Sequence, residues 1–292
     1  MKELYGTGVA LVTPFDKNLK IDFDSLTHIV EYQINNGIDY LVLLGTTAET
    51  PTLSKKEQEE IMSHVIKVNK GRLPLVLGLG GNNTLSLVQQ LQESDLSHFS
   101  AILSVSPYYN RPSQEGIYQH YRQLSLASPI PIIMYNIPYR TGTNMEPETV
   151  FRLANDCKNI IGLKEAAGSF DQILLLLNGK PKDFMIISGE DSLALSLVSA
   201  GGAGVISVLA QGMPKEYAAM IKLGLNYQTK EAFEKLKGLL PAVQLIFKEG
   251  NPAGIKAMLH KLDLCQPYVR LPLVKVSSDL QTKISNFVTN YN

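Results

Sequence analysis

The 292-residue chain is poor in the features that mark several large functional classes. It has only two cysteines, Cys157 and Cys265, far apart and in no Cys-x-x-Cys spacing. That argues against a disulfide scaffold or a structural zinc site and for a reducing compartment, with both thiols read as small core hydrophobes. Charge of one sign is also missing, because 27 Lys and Arg balance 27 Asp and Glu. A neutral chain has no field with which to draw nucleic acid or an anionic membrane. No apolar run approaches the roughly 20 residues of a membrane span. The segment Met1 to Gly8 lacks the basic-then-apolar pattern of a secretory signal, so the expected compartment is the cytoplasm. The five histidines (His28, His64, His98, His120 and His260) fall in predicted helices or helix ends. With no His/Asp/Glu spacing typical of zinc or magnesium, no metal is expected. The dinucleotide fingerprint is absent as well, since Gly78, Gly80 and Gly81 lack its spacing.

What the sequence has instead is rhythm. Short apolar runs at 8–13, 40–44, 75–79, 101–105, 130–135, 160–164, 184–188 and 204–209 alternate with longer stretches of helical periodicity. Runs apolar on both faces suit a parallel sheet covered by helices. The intervening segments carry helix signals: Asp22 ahead of Leu26, Ile29, Val30 and Ile34, a Ser54/Glu57 capping box, and Pro147 in a first turn. Eight strand–helix units in one series fit a closed (β/α)8 TIM barrel better than an open sheet of five or six strands. The rhythm stops after Asn226. We therefore expect a catalytic barrel over 1–226 and a C-terminal helical appendage over 227–292, with helices near 230–248, 252–263 and 277–289. Gly201-Gly202-Ala203-Gly204 precedes the eighth strand and reads as a tight helix–strand turn, not a phosphate cradle.

Active sites of such barrels lie at the C-terminal strand ends. There the sequence places Thr13, Gly45-Thr46-Thr47, Gly80 with Asn82, Tyr108-Tyr109-Asn110, Tyr135-Asn136, Lys164-Glu165, Gly189-Glu190-Asp191 and Ser207. Lys164 ends the apolar run Ile160-Ile161-Gly162-Leu163, so burial should pull its pKa from about 10.4 toward neutrality. A neutral amine adds to carbonyl carbons, which makes Lys164 a Schiff-base candidate. From position alone, an ion pair with Glu165 stands level with that role, although strand alternation sends adjacent residues to opposite faces and weakens it. Tyr135, Thr46 and Tyr109 offer a chain of hydroxyls for proton transfer, though each taken singly is more often a packing residue. Arg140 is either a fork for a substrate carboxylate or a surface arginine.

The motifs GTTAE (45–49), PYYNRPSQEG (107–116), YNIPYRTG (135–142), GLKEA (162–166), SGED (188–191) and GVISV (204–208) occur in one order and spacing. With them the chain resembles, over nearly its whole length, the dihydrodipicolinate synthase family of the N-acetylneuraminate lyase superfamily. The resemblance implies a pyruvate imine on Lys164 and a relay of Thr46, Tyr135 and Tyr109, with Tyr109 reaching into a neighbouring subunit's site. It further implies that Thr46 and Thr47 hold the pyruvate carboxylate, that Arg140 binds L-aspartate-4-semialdehyde, and that Gly189 and Ile206 line the pocket. No cofactor beyond the imine is implied, and a homotetramer built as a dimer of dimers is. Two departures stand out. Ala48 replaces the family's usual glycine in GTTGE. Lys55, Gln58 and Ser86 stand where lysine-inhibited relatives tend to have histidines and a glutamate, while Asn82 and Tyr108 of that possible allosteric site are kept. Placing Lys55 near a cationic inhibitor adds repulsion, so weak or absent inhibition by L-lysine is expected. The competing expectations are a sialic acid or 2-keto-3-deoxy sugar acid aldolase using the same lysine, and a silent barrel that binds a small acid.

Overall fold

The computed structural model describes residues 2–291. Eight parallel strands close into a barrel: β1 (Gly6–Ala10), β2 (Tyr40–Leu43), β3 (Leu75–Gly78), β4 (Ala101–Val105), β5 (Ile132–Asn136), β6 (Ile160–Glu165), β7 (Met185–Ser188) and β8 (Gly204–Ser207). Each strand pairs with its neighbours in sequence, and β8 returns to β1. The expected (β/α)8 barrel is therefore the observed one.

The strands are apolar on both faces because each face meets a different core. On β2, Tyr40 and Val42 belong to the small cluster inside the barrel, whereas Leu41 and Leu43 join the larger cluster beneath the helices. Val76, Leu103, Ile133, Tyr135, Ile187 and Ile206 continue the inner cluster around the ring. At the closing seam Gly204 has φ +149°, and a Cβ there would lie 2.0 Å from the Gly6 carbonyl oxygen. Only glycine fits so close an approach, which accounts for the Gly201–Gly204 run as a turn at the strands' N-terminal end.

Local signals worked where a side chain replaces a missing backbone partner. Asp22 accepts from Ser25 N–H to open the helix Phe23–Asn35, and the Ser54/Glu57 capping box opens Lys55–Asn69. β4 keeps its expected limits, and the other strands shift at one or both ends by one to three residues. β8 ends at Ser207, not Leu209, because the N–H groups of Val208 and Leu209 turn to the Asp191 carboxylate at 3.1 and 3.0 Å. β1 lies at Gly6–Ala10, earlier than 8–13, and Val12 N–H leaves the ladder for Gln211 Oε1 at 2.8 Å. His98 sits in a turn beyond the helix Thr84–Glu93, the other four histidines in helices. Both cysteines are free and buried. Among the described residues no helix is long and apolar enough to cross a membrane.

After the barrel come the helices Thr229–Phe247, Ala253–Lys261 and Ser278–Asn290. The first packs on Pro214–Leu225, the helix that follows β8. Chain beyond it reaches the barrel mouth.

Candidate active site

Lys164 and Tyr135 stand opposite one another on β6 and β5, in register. Both are buried, and the Lys164 Nζ lies 4.3 Å from the Tyr135 ring centroid. Their common face is set by an irregularity in β6. Ile132 pairs with Ile160, but the next residue, Ile133, pairs with Gly162, so Ile161 is an extra residue. Ile160 and Leu163 both belong to the helix-facing core, which unbroken alternation would not allow. The bulge re-phases the strand and turns Lys164 into the barrel. Gly189 on the β7 side leaves room for it: a Cβ there would lie 2.9 Å from Lys164 Cε and 2.6 Å from Ala166 Cβ.

Glu165 faces the other way. Its carboxylate accepts from Asn136 Nδ2 at 3.0 Å, Gln172 Nε2 at 3.0 Å and the Ala167 N–H at 2.6 Å. The ion-pair explanation for Lys164 therefore fails, and among the described residues no carboxylate forms a salt bridge with it. Burial pulls the Lys164 pKa down to about 8, with Asp191 and Glu190 acting against the shift and the Arg140 charge reinforcing it. The ammonium still predominates at neutral pH, but the free amine, able to add to a carbonyl, is far more populated than in an ordinary lysine. Tyr135 shifts the opposite way. Burial raises its phenol to about 12, against the nearby Arg140 charge and the Thr46 hydroxyl. It stays protonated and can donate.

Of the carboxyl groups that oppose the Lys164 shift, Asp191 acts most strongly. It is buried behind β8, where it accepts from Ser207 Oγ at 2.5 Å and from the two backbone N–H groups that end that strand. Its pKa is raised by burial, those hydrogen bonds opposing. Arg140 lies on an unanticipated short helix, Pro138–Thr141, exposed at the mouth. Ile206 is buried in the inner cluster with Tyr135.

The GTTAE segment forms a 3-10 turn, Thr46–Ala48. Thr46 is exposed at the mouth beside Tyr135, and Thr47 is buried. Ala48 is accommodated, its carbonyl accepting from Thr13 Oγ1 at 2.7 Å; the left-handed backbone, φ 57°, falls one residue later at Glu49. Tyr109 is the one relay candidate that does not join the others. It takes φ 72° and is 89% exposed, turned out from its own barrel. Asn82 and Tyr108 do meet, Asn82 Nδ2 donating to the Tyr108 carbonyl at 3.1 Å. Among the described residues no group of three or more His, Cys, Asp or Glu side chains is placed to hold a metal ion.

Three polar residues at the mouth went unread in the sequence. Asn251 Nδ2 donates to Thr47 Oγ1 at 2.9 Å, and Lys256 Nζ donates to Glu49 Oε1 at 2.5 Å. Glu49 carried a signal, a charge inside a turn of small residues, but Asn251 and Lys256 are too distant in sequence for any spacing to reveal them.

Comparison with known proteins identifies the family of the chain. Residues 3–291 match the model of the dihydrodipicolinate synthetase family. A 4-hydroxy-tetrahydrodipicolinate synthase of Flavobacterium psychrophilum is 53% identical over 287 residues, covering 98% of each chain. A solved monomeric dihydrodipicolinate synthase variant superposes with TM-score 0.96 at 36% identity, over 99% of this chain and 97% of that one. The chloride-inhibited dihydrodipicolinate synthase of Acinetobacter baumannii, complexed with pyruvate, gives 0.95 at 32% identity, over 99% of both.

Proposed function

The chain belongs to the dihydrodipicolinate synthetase family, and on that premise we propose that it condenses pyruvate with L-aspartate-4-semialdehyde through an imine on Lys164. The observation that carries this reading is the pairing of Lys164 with Tyr135, buried on one inner face of the barrel without a carboxylate partner. The relatives' names favour a synthase over a sugar acid aldolase or a silent barrel.

The chemistry follows from the geometry. The neutral Lys164 amine adds to C2 of pyruvate, water leaves, and the iminium draws electrons from the methyl carbon, which loses a proton to give an enamine. That carbon attacks the aldehyde, and the new alkoxide takes a proton. Tyr135, protonated and next to Thr46, is the proton donor and acceptor for these transfers. The substrate's own amine then closes on the imine carbon and releases Lys164 as the cyclic product departs. Thr46 and Thr47 hold the pyruvate carboxylate, with Ile206 and Gly189 shaping the pocket. Arg140 at the mouth binds the carboxylate of the aldehyde by its planar fork. The imine does the electron withdrawal, so no cofactor or metal is required.

Tyr109 completes the relay from a second copy of the chain. Its outward side chain supports that role, and we propose a cytoplasmic homotetramer, a dimer of such dimers. Asn82 and Tyr108 belong to a lysine-binding surface that Lys55 and Ser86 weaken.

Borohydride reduction in the presence of pyruvate tests the central step. A mass increase on the Lys164 peptide is expected, and an unlabelled peptide refutes the reading. Offering the loaded enzyme aspartate semialdehyde and, separately, a sugar aldehyde then identifies the acceptor; turnover of the sugar alone points to the aldolase.

A further inference from the structure

Next to the Thr46–Ala48 turn lies a buried charge pair that no step of the proposed reaction uses. Glu49 ends the Thr46–Ala48 turn in the left-handed region, uncommon for a residue with a side chain. Its N–H donates to the Thr46 carbonyl at 3.2 Å, and its own carbonyl accepts from the Thr52 N–H at 2.8 Å. The Glu49 carboxylate turns away from Lys164 toward the C-terminal region. There Lys256 Nζ meets one oxygen at 2.5 Å and the Arg270 N–H meets the other at 2.8 Å. Both side chains of the pair are 0% exposed. Lys256 Nζ also donates to the Tyr268 carbonyl at 2.8 Å and lies 4.2 Å from the Phe15 ring centroid. Asn251, in the same C-terminal segment, donates to Thr47. The residues on either side of Ala48 are thus both tied to chain more than two hundred positions away.

Such a pair is a weak source of stability, because desolvation of two charges offsets most of their attraction. It is a strong source of direction. A buried carboxylate with an ammonium and a backbone N–H as its partners has one place to sit, and Glu49 is three residues from Thr46. We propose that Lys256 is a positioning residue for the reaction: through Glu49 it fixes the Thr46-Thr47 turn that receives the pyruvate carboxylate. The proposal rests on the reading of Lys164 as the imine former and of that turn as the carboxylate site.

The test uses the full-length enzyme and its Glu49→Gln, Lys256→Met and Glu49→Gln/Lys256→Met variants. The double variant leaves no lone buried charge, so it keeps the fold in hand should Lys256→Met alone fail to fold. Near-ultraviolet circular dichroism establishes which variants are folded. In the folded variants the KM for pyruvate is expected to rise about tenfold or more through lost ground-state binding, and kcat to fall as well because Thr46 of the same turn stands beside Tyr135 in the relay. Borohydride at saturating pyruvate should still label Lys164. A pyruvate KM within about twofold of the parent in the folded double variant overturns the proposal, whatever the change in kcat. Failure to label Lys164 in the unmodified enzyme would instead strike the functional reading itself, so the two failures are told apart.

Discussion

Among the described residues two lysines are buried, and the protein treats them in opposite ways. Lys256 is given a carboxylate at 2.5 Å and a carbonyl at 2.8 Å. Lys164 is given an aromatic face, and the carboxyl group of Asp191 is held by Ser207 and two backbone N–H groups. Burial pushes both pKa values down, but Glu49 opposes the shift of Lys256 directly. One site holds its charge for the sake of a loop; the other holds its proton loosely and becomes reactive. Desolvation without a partner activates a lysine, and the same desolvation with a partner makes it a strut.

The comparison can be broken by exchanging each lysine for an uncharged chain of similar length. Lys164→Met is expected to abolish the borohydride-trapped adduct and reduce synthase activity below detection; residual adduct elsewhere would assign the imine to another residue. Tyr135→Phe should retain the fold and lower kcat by about 10²- to 10⁴-fold, the range of a lost proton-transfer group. A fall of less than about threefold would remove Tyr135 from the relay.

Stability should move in opposite directions at the two sites. Lys256→Met leaves Glu49 buried without its cation and should cost roughly 3–5 kcal/mol in denaturant unfolding at pH 7. Lys164→Met should stabilise, because a pKa of about 8 against the ordinary 10.5 means that the charged form costs the fold on the order of 3 kcal/mol below pH 8. The folded state releases this proton first, so the cost fades as pH rises from about 8 to 10.5. Equal destabilisation by both substitutions would erase the distinction between strut and nucleophile.

The smallest expected effect is on pH dependence. The kcat/KM for pyruvate should climb with pH up to about 8, where half of Lys164 is the free amine, and level above it. A flat profile between pH 6 and 8 would mean that the amine is neutral for another reason.

Much of this was legible without coordinates, for a definite reason. Barrel strands are apolar on both faces and recur with one rhythm, so eight units and the rim they share follow from local pattern. Once the rim is known, Lys164, Tyr135 and Thr46 are found at strand ends, and adjacency on a strand separates Lys164 from Glu165. Strand ends themselves were less legible, because β8 stops where Asp191 captures two N–H groups from 17 and 18 residues away. The short helix carrying Arg140 lies within a Pro- and Gly-containing loop that carries no amphipathic signature.

The sequence by itself determined the architecture and the kind of chemistry, since alternation, apolar runs and residue types act over a few positions of chain. Tertiary structure decided which way those residues work. The extra residue Ile161 in β6 sets the phase that turns Lys164 inward, a choice made by pairing with β5 and invisible to counting along one strand. Lys256 becomes the support of Glu49 only because folding brings together residues 207 positions apart, in low-dielectric surroundings where the attraction between two buried charges fixes their geometry.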